Sequence, residues 1–229
     1  MVTSTLETTD LSGRAESRSA VADRGCVDCD AIYRRADGAL ELVPWANEGP
    51  HPAFLAWLNA EAPCLVRPGC RVAVVGCGLG DDAIELINRG FDVTAFDHAA
   101  SAIAWAKERF PRHAHTFVEA DVFEAPSKWR HRFDLVIDVN NIPWVDREKR
   151  PEYAARVVDL LHPNGALFVI CTGCDSPDRM EHHDDPLPPA GLLSLFASKG
   201  LAPTRALDDF TDDATPPQRW LRGVFRGNR

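Results

Sequence analysis

The chain has 229 residues, 45% hydrophobic, 26% charged and 8% aromatic, a composition that supports a sizeable core and excludes a disordered, collagen-like or membrane-embedded polymer. Its 25 Lys and Arg against 34 Asp and Glu leave a net charge of −9, the wrong sign for broad binding to nucleic acid or to an anionic membrane. No apolar stretch approaches the roughly 18 residues of a membrane span, and the first twenty residues lack the apolar core of a secretory signal. The 7 cysteines, an odd number in a chain large enough to do without disulfides, point to reduced thiols and a cytoplasmic protein.

Residues 1–25, rich in Ser, Thr, Ala and charge and without a period, are expected to form a mobile tail. Residues 26–68 read as a helical cover or lid, with Trp45, Phe54, Leu55, Trp57 and Leu58 supplying apolar faces around Glu48-Gly49-Pro50. Residues 69–229 then alternate β-branched runs with helical stretches, the pattern of βαβ units in one domain. Strands are expected at Arg71–Val75, Asp92–Phe96, His115–Ala120, Phe133–Asp138 and Ala166–Cys171. The intervening helices are expected at Asp82–Arg89, Ala100–Glu108 and Pro151–Leu161, with another at Pro189–Lys199 and two closing strands near Pro203–Leu207 and Trp220–Arg226.

Between the first strand and its helix stands Val75-Gly76-Cys77-Gly78-Leu79-Gly80-Asp81-Asp82, where open α/β sheets bind nucleotide-like ligands. A dinucleotide fingerprint requires glycine at the position of Asp81, a carboxylate that would face the pyrophosphate, and a P-loop requires Gly-Lys-Ser or Gly-Lys-Thr. Asp97 closes the second strand, where an acidic side chain accepts from both ribose hydroxyls. Asp121 closes the third, placed to meet an adenine edge. Recognition of ribose and adenine without phosphate describes S-adenosylmethionine, although tight-turn glycines and helix-capping aspartates would give the same letters.

The stretch Arg71 to about Gly165 resembles a class I S-adenosylmethionine-dependent methyltransferase, and the finer pattern resembles the thiopurine methyltransferase superfamily in its thiol and halide branch. The phrases GCGLGDDAIELINRGFDVTAFDHAASAI and FDLVIDV…YAARVVDLLHPNGALFVI carry it, together with Trp45, Glu48-Gly49 and His51-Pro52 in the cover. The resemblance implies a Rossmann-like α/β fold: a mostly parallel seven-stranded sheet with an antiparallel last strand, helices on both faces and an N-terminal helical lid. It also implies cofactor contacts from Gly76, Gly78 and Gly80, from Asp97 with His98 beside it, from Asp121 and Val122 at the adenine, and from Trp45 in the cover. Asp138, ending the fourth strand, is implied to lie near the methionine amino group or the acceptor. The chain departs from the pattern at Val74, where many class I enzymes are acidic. At Val139 it lacks the arginine of the thiopurine branch, which counts against a thiopurine substrate.

Methyl transfer from a sulfonium is an in-line displacement that mainly requires positioning and exclusion of water. The loop after the fourth strand places Asp138, Asn140, Asn141 and Trp144 as acceptor-side candidates, with a surface turn anchored by Trp144 as the alternative. Cys26 and Cys29, and Cys171 and Cys174, form two C-x-x-C pairs, and Cys171 follows the fifth strand closely enough to be a catalytic candidate. A tetrathiolate zinc site, a thiophilic or dithiol substrate, and incidental thiols are the readings of those pairs, and no resident metal is expected. His182-His183-Asp184-Asp185 reads as a solvated loop. The sequence therefore points to methyl transfer to a small-molecule heteroatom, preferably sulfur, without nucleic-acid or membrane partners. The rivals are an N- or O-methyltransferase of a natural product and a non-catalytic nucleoside- or metal-binding regulator.

Overall fold

The computed structural model describes residues 28–176 and 185–227. The tail expected over residues 1–25, Cys26, and His182 to Asp184 lie outside them.

Strands β1 (Arg71–Val75), β2 (Asp92–Asp97), β3 (Phe117–Glu119), β4 (Phe133–Val139) and β5 (Leu161–Thr172) are parallel. Their apolar runs lack polar alternation because both faces of the sheet are covered. On β5, Phe168 and Ile170 pack on one face while Leu167, Val169 and Cys171 pack on the other. Three further strands, β6 (Leu201–Pro203), β7 (Asp208–Thr211) and β8 (Arg219–Gly227), complete a sheet of order β3-β2-β1-β4-β5-β8-β6, with β7 also on β8. The chain steps outward from β1 in one direction and from β4 in the other, so a crevice opens between their carboxyl ends.

Among the described residues the sheet has eight strands in place of the expected seven. The stretch expected as one closing strand divides into β6 and β7, both antiparallel to β8. Pro203 lies opposite Phe225 and Asp208 opposite Arg222, so the connecting residues bulge over Gly223. A Cβ on Gly223 would lie 2.4 Å from Leu207 Cδ2, so only glycine leaves room for that crossing. β5 also starts five residues earlier than expected, at Leu161, which pairs with Phe133 before the register shifts.

Among the described residues, six α-helices clothe the sheet: α1 (Cys29–Ala36), α2 (Pro52–Ala60), α3 (Asp81–Asn88), α4 (Ala100–Arg109), α5 (Arg150–Leu160) and α6 (Pro189–Ala197). Phe54, Trp57 and Leu58 of α2 share one core with Val72, Leu135 and Phe168. Tyr153, Val157, Leu192 and Phe196 of α5 and α6 fill the opposite face with Val136 and Val169. A third cluster joins Tyr33 and Ala36 of α1 to Leu79 in the glycine turn and to Ala99 and Ala102 at α4. Asp28 caps α1 by accepting from the Ala31 amide, and Asp30 accepts from the Ser101 amide at the start of α4. The cover is thereby fixed beside the crevice. Among the described residues no helix is long and apolar enough to cross a membrane.

Candidate active site

The three glycines of the turn all adopt positive φ, at 54°, 50° and 90°, but different neighbours require them. A Cβ on Gly76 would lie 1.8 Å from Asn141 Oδ1, and one on Gly80 would lie 2.6 Å from the Phe117 ring. Protein packing dictates both. A Cβ on Gly78 would meet only the Tyr33 hydroxyl, at 3.0 Å, so this glycine alone presents its backbone to the space under α1. The Gly78 amide donates to Asp97 Oδ2 at 3.0 Å and the Ala99 amide to Asp97 Oδ1 at 2.9 Å. Each carboxylate oxygen thus keeps lone-pair capacity for a further donor. Burial pushes the Asp97 carboxyl above its usual range, against the pull of these two amides. His98 lies 3.6 Å from Asp97 with its side chain 60% exposed.

Aromatic side chains roof this turn. Trp45 Nε1 donates to the Tyr33 hydroxyl at 2.7 Å, and its ring meets Trp144 edge-on at 5.0 Å. The cover and the loop after β4 are therefore in direct contact. Tyr33 carries no sequence signal beyond the apolar face of α1, and only the packing of α1 on the turn reveals it. At the neighbouring strand end, Asp121 accepts from the Phe123 amide and stays exposed, while Val122 is buried beneath it.

The acceptor-side expectations need correction at two positions. Asp138 is completely buried: it accepts from the Tyr153 hydroxyl at 2.8 Å and from the Asn141 amide and side-chain nitrogen at 3.2 and 3.0 Å. Burial lifts its carboxyl to about 6, and its oxygens are engaged by Asn141 and Tyr153 away from solvent. Cys171 is likewise completely buried in the α5–α6 core, and burial drives its thiol far above the usual range, the opposite of an activated thiolate. Cys174 donates instead to the Pro186 carbonyl at 3.3 Å, so the second C-x-x-C pair faces two different environments. Among the described residues no three His, Cys, Asp or Glu side chains are grouped to hold a metal.

Asn141 Nδ2 also donates to the Val75 carbonyl at 2.9 Å, linking the loop after β4 to the end of β1. Asn140, at φ 59°, accepts from the Thr172 amide at 3.0 Å and links the same loop to β5. One dipeptide thus spans three strand ends.

Residues 72–165 match the family model described as "Methyltransferase domain". Thiocyanate methyltransferase 1 of Brassica oleracea is 32% identical over 167 residues, 67% of this chain and 70% of that protein. The chain belongs to the class I S-adenosylmethionine-dependent methyltransferases. This methyltransferase is also 29% identical to thiocyanate methyltransferase 1 of Arabidopsis thaliana over 136 residues, spanning 57% of its own length and 56% of that relative's. Among solved structures, the fold matches a Burkholderia thailandensis 1,6-didemethyltoxoflavin-N1-methyltransferase with bound S-adenosylhomocysteine, at 20% identity and a TM-score of 0.69, over 99% of this chain and 94% of that one. The family cofactor suits the atoms of this methyltransferase: an open Gly78 backbone, a strand-end carboxylate with unused acceptor capacity and an aromatic roof stand together.

Proposed function

We propose that the protein transfers a methyl group from S-adenosylmethionine to a small sulfur nucleophile such as thiocyanate, bisulfide or a low-molecular-weight thiol. The observation that carries the reading is the Gly78–Asp97 hydrogen bond beneath the Tyr33–Trp45 roof, at the crevice between β1 and β4. The 32% identity to a thiocyanate methyltransferase supports sulfur as the acceptor.

When bound, S-adenosylmethionine supplies an electrophilic methyl on a sulfonium. Gly76, Gly78 and Gly80 shape the turn that takes its methionine part, Asp97 with His98 takes the ribose, and Asp121 and Val122 meet the adenine. Trp45 and Trp144 exclude water above the crevice, which strengthens electrostatic interactions within it. Asp138 and Tyr153 fix Asn141, and Asn140 and Asn141 hold the acceptor loop in register with the cofactor turn. Asp138, the carboxylate an amine or alcohol acceptor would favour as a base, is held by Asn141 and Tyr153. A thiolate needs no such base, since its thiol ionises near pKa 8.5. The reducing cytoplasm suits both the acceptor and the chain's thiols.

The experiment is to follow S-adenosylhomocysteine formation with thiocyanate, bisulfide, thiols, halides, amines and catechols. Turnover is expected with the sulfur acceptors. Turnover confined to amines or catechols would replace the sulfur reading with an N- or O-methyltransferase, and cofactor binding without any turnover would favour a regulator.

A further inference from the structure

Segment 45–51 crosses the carboxyl edge of the sheet, held at Trp45 by Tyr33 and Trp144 and at His51 by α3 and β8. The His51 amide donates to Asp82 Oδ1 at 2.8 Å, in the first turn of α3 after the glycine loop. Its ring meets Trp220 edge-on at 4.7 Å. Trp220 lies directly opposite Thr172 at the end of β5, and residues opposite each other in an antiparallel pair project to the same face. His51, Trp220 and Thr172 therefore line one face of the sheet at the edge where a methyl acceptor has to enter.

At the carboxyl end of this face, His51 Nε2–H and the Thr172 hydroxyl have no hydrogen-bond partner among the described residues. His51 Nδ1 accepts from the Ala53 amide at 3.2 Å, which places the ring proton of the neutral imidazole on Nε2. Nε2–H itself finds no partner among the described residues. Thr172, 3% exposed, has a fully buried hydroxyl with no partner, an uncommon and costly arrangement in a folded protein. Trp57 Nε1 and Arg226 Nε are also buried without a partner, further from the carboxyl edge. Asp212 accepts from Trp220 Nε1 and from the Ala214 and Gln218 amides, at 2.8, 3.1 and 2.8 Å.

We infer that His51 Nε2–H holds the methyl acceptor, with the Thr172 hydroxyl on the same sheet face, and that the acceptor is a small anion taken by neutral donors. This rests on the sulfur-acceptor reading and assigns its binding site. Desolvation holds the His51 imidazole down at about 4, against the pull of Asp212, so the ring adds no positive charge next to a cationic cofactor. Asp82, which accepts from the His51 backbone amide, is lifted to about 7 by burial and is partly neutral near that pH. With Nδ1 engaged by the Ala53 amide and Nε2 protonated, His51 takes up no proton. The acceptor arrives as the anion. A sulfur lone pair forms the new bond to the methyl carbon, the sulfonium carbon–sulfur bond breaks, and its electron pair stays on S-adenosylhomocysteine. No proton moves in that step.

The test uses the full chain saturated with S-adenosylhomocysteine, with histidine labelled by 15N and sodium thiocyanate as the probe. On titration the Nε2 and Nε2–H resonances of His51 are expected to shift saturably while Nδ1 keeps its acceptor signature. In turnover, His51→Phe, which preserves the ring against Trp220, is expected to lower kcat/KM for thiocyanate roughly 10–100-fold, the scale of losing a hydrogen bond to a charged group. Thr172→Val is expected to lower it less, and both variants are expected to bind S-adenosylhomocysteine as wild type does. Unshifted His51 resonances, or equal kcat/KM in wild-type and His51→Phe proteins, would overturn the assignment. Wild-type turnover of amines but not of thiocyanate or thiols would instead overturn the sulfur reading on which it rests.

Discussion

Asp97 and Asp138 both end strands at the crevice, yet their surroundings divide their tasks. Asp97 holds two backbone amides and retains acceptor capacity, so Asp97→Ala is expected to weaken S-adenosylmethionine binding by about 1–3 kcal/mol. Calorimetry reads this directly, and an unchanged dissociation constant would remove the ribose assignment. Asp138 is instead sealed in the core with its carboxyl lifted to about 6. A group whose pKa is raised in the fold contributes its full stability below its unfolded value, near 3.9, and loses it as pH rises through about 6. The stability of wild type relative to Asp138→Asn is therefore expected to grow as pH falls from about 7 to 4. Parallel urea titrations across that range check the sign. Cys171 stands near the end of β5, where strand alternation sends its thiol to the α5–α6 face. Cys171→Ala is expected to cost about 1 kcal/mol of stability and to leave turnover intact, and loss of activity in a folded variant would reinstate the thiol.

At the scale of elements, the glycine turn was legible in the sequence as a turn, whereas the reasons for its three glycines were not. Gly76 yields to Asn141 and Gly80 to Phe117, both distant in sequence, while Gly78 faces the space under Tyr33. Gly80→Ala is accordingly expected to lose stability by more than the ~1 kcal/mol of the positive-φ penalty alone, because the Phe117 ring must also move. Gly78→Ala is expected to cost mainly cofactor affinity. Thermal melts with and without S-adenosylhomocysteine separate the two effects, and identical profiles for both variants would refute the distinction. The two helices that follow the turn, α3 and α4, begin and end within about one residue of their expected limits because Gly80 and the apolar periods mark them locally. The division of β6 from β7 had no comparable mark. It follows from Leu207, in the connection between them, crossing Gly223 of β8, sixteen residues away in the linear order.

At the scale of the whole molecule, cover, turn and acceptor loop are one connected body. Tyr33 reaches Trp45, Trp45 reaches Trp144, and Asn141 returns to Val75 at the end of β1. A ligand bound beneath that chain of contacts stabilises the folded state by mass action, about 2.7 kcal/mol at a hundredfold excess over its dissociation constant. S-Adenosylmethionine is expected to raise the melting temperature saturably and NAD to leave it unchanged, and the reverse pattern would contradict the cofactor assignment.

The sequence by itself determined the alternation of strands and helices, the glycine turn, the strand-end carboxylates and the family, because each is written in short-range spacing that the backbone reads locally. Only the tertiary structure decided which of those groups face the crevice. Asp138 and Cys171 lie one strand apart at the same sheet edge, and the helices packed over that edge seal both away. His51, Trp220 and Thr172 come from three distant segments, and they meet only because β8 runs antiparallel beside β5 and the N-terminal cover folds across the end of both. Side-chain accessibility depends on what packs from elsewhere in the chain, and local spacing carries no record of it.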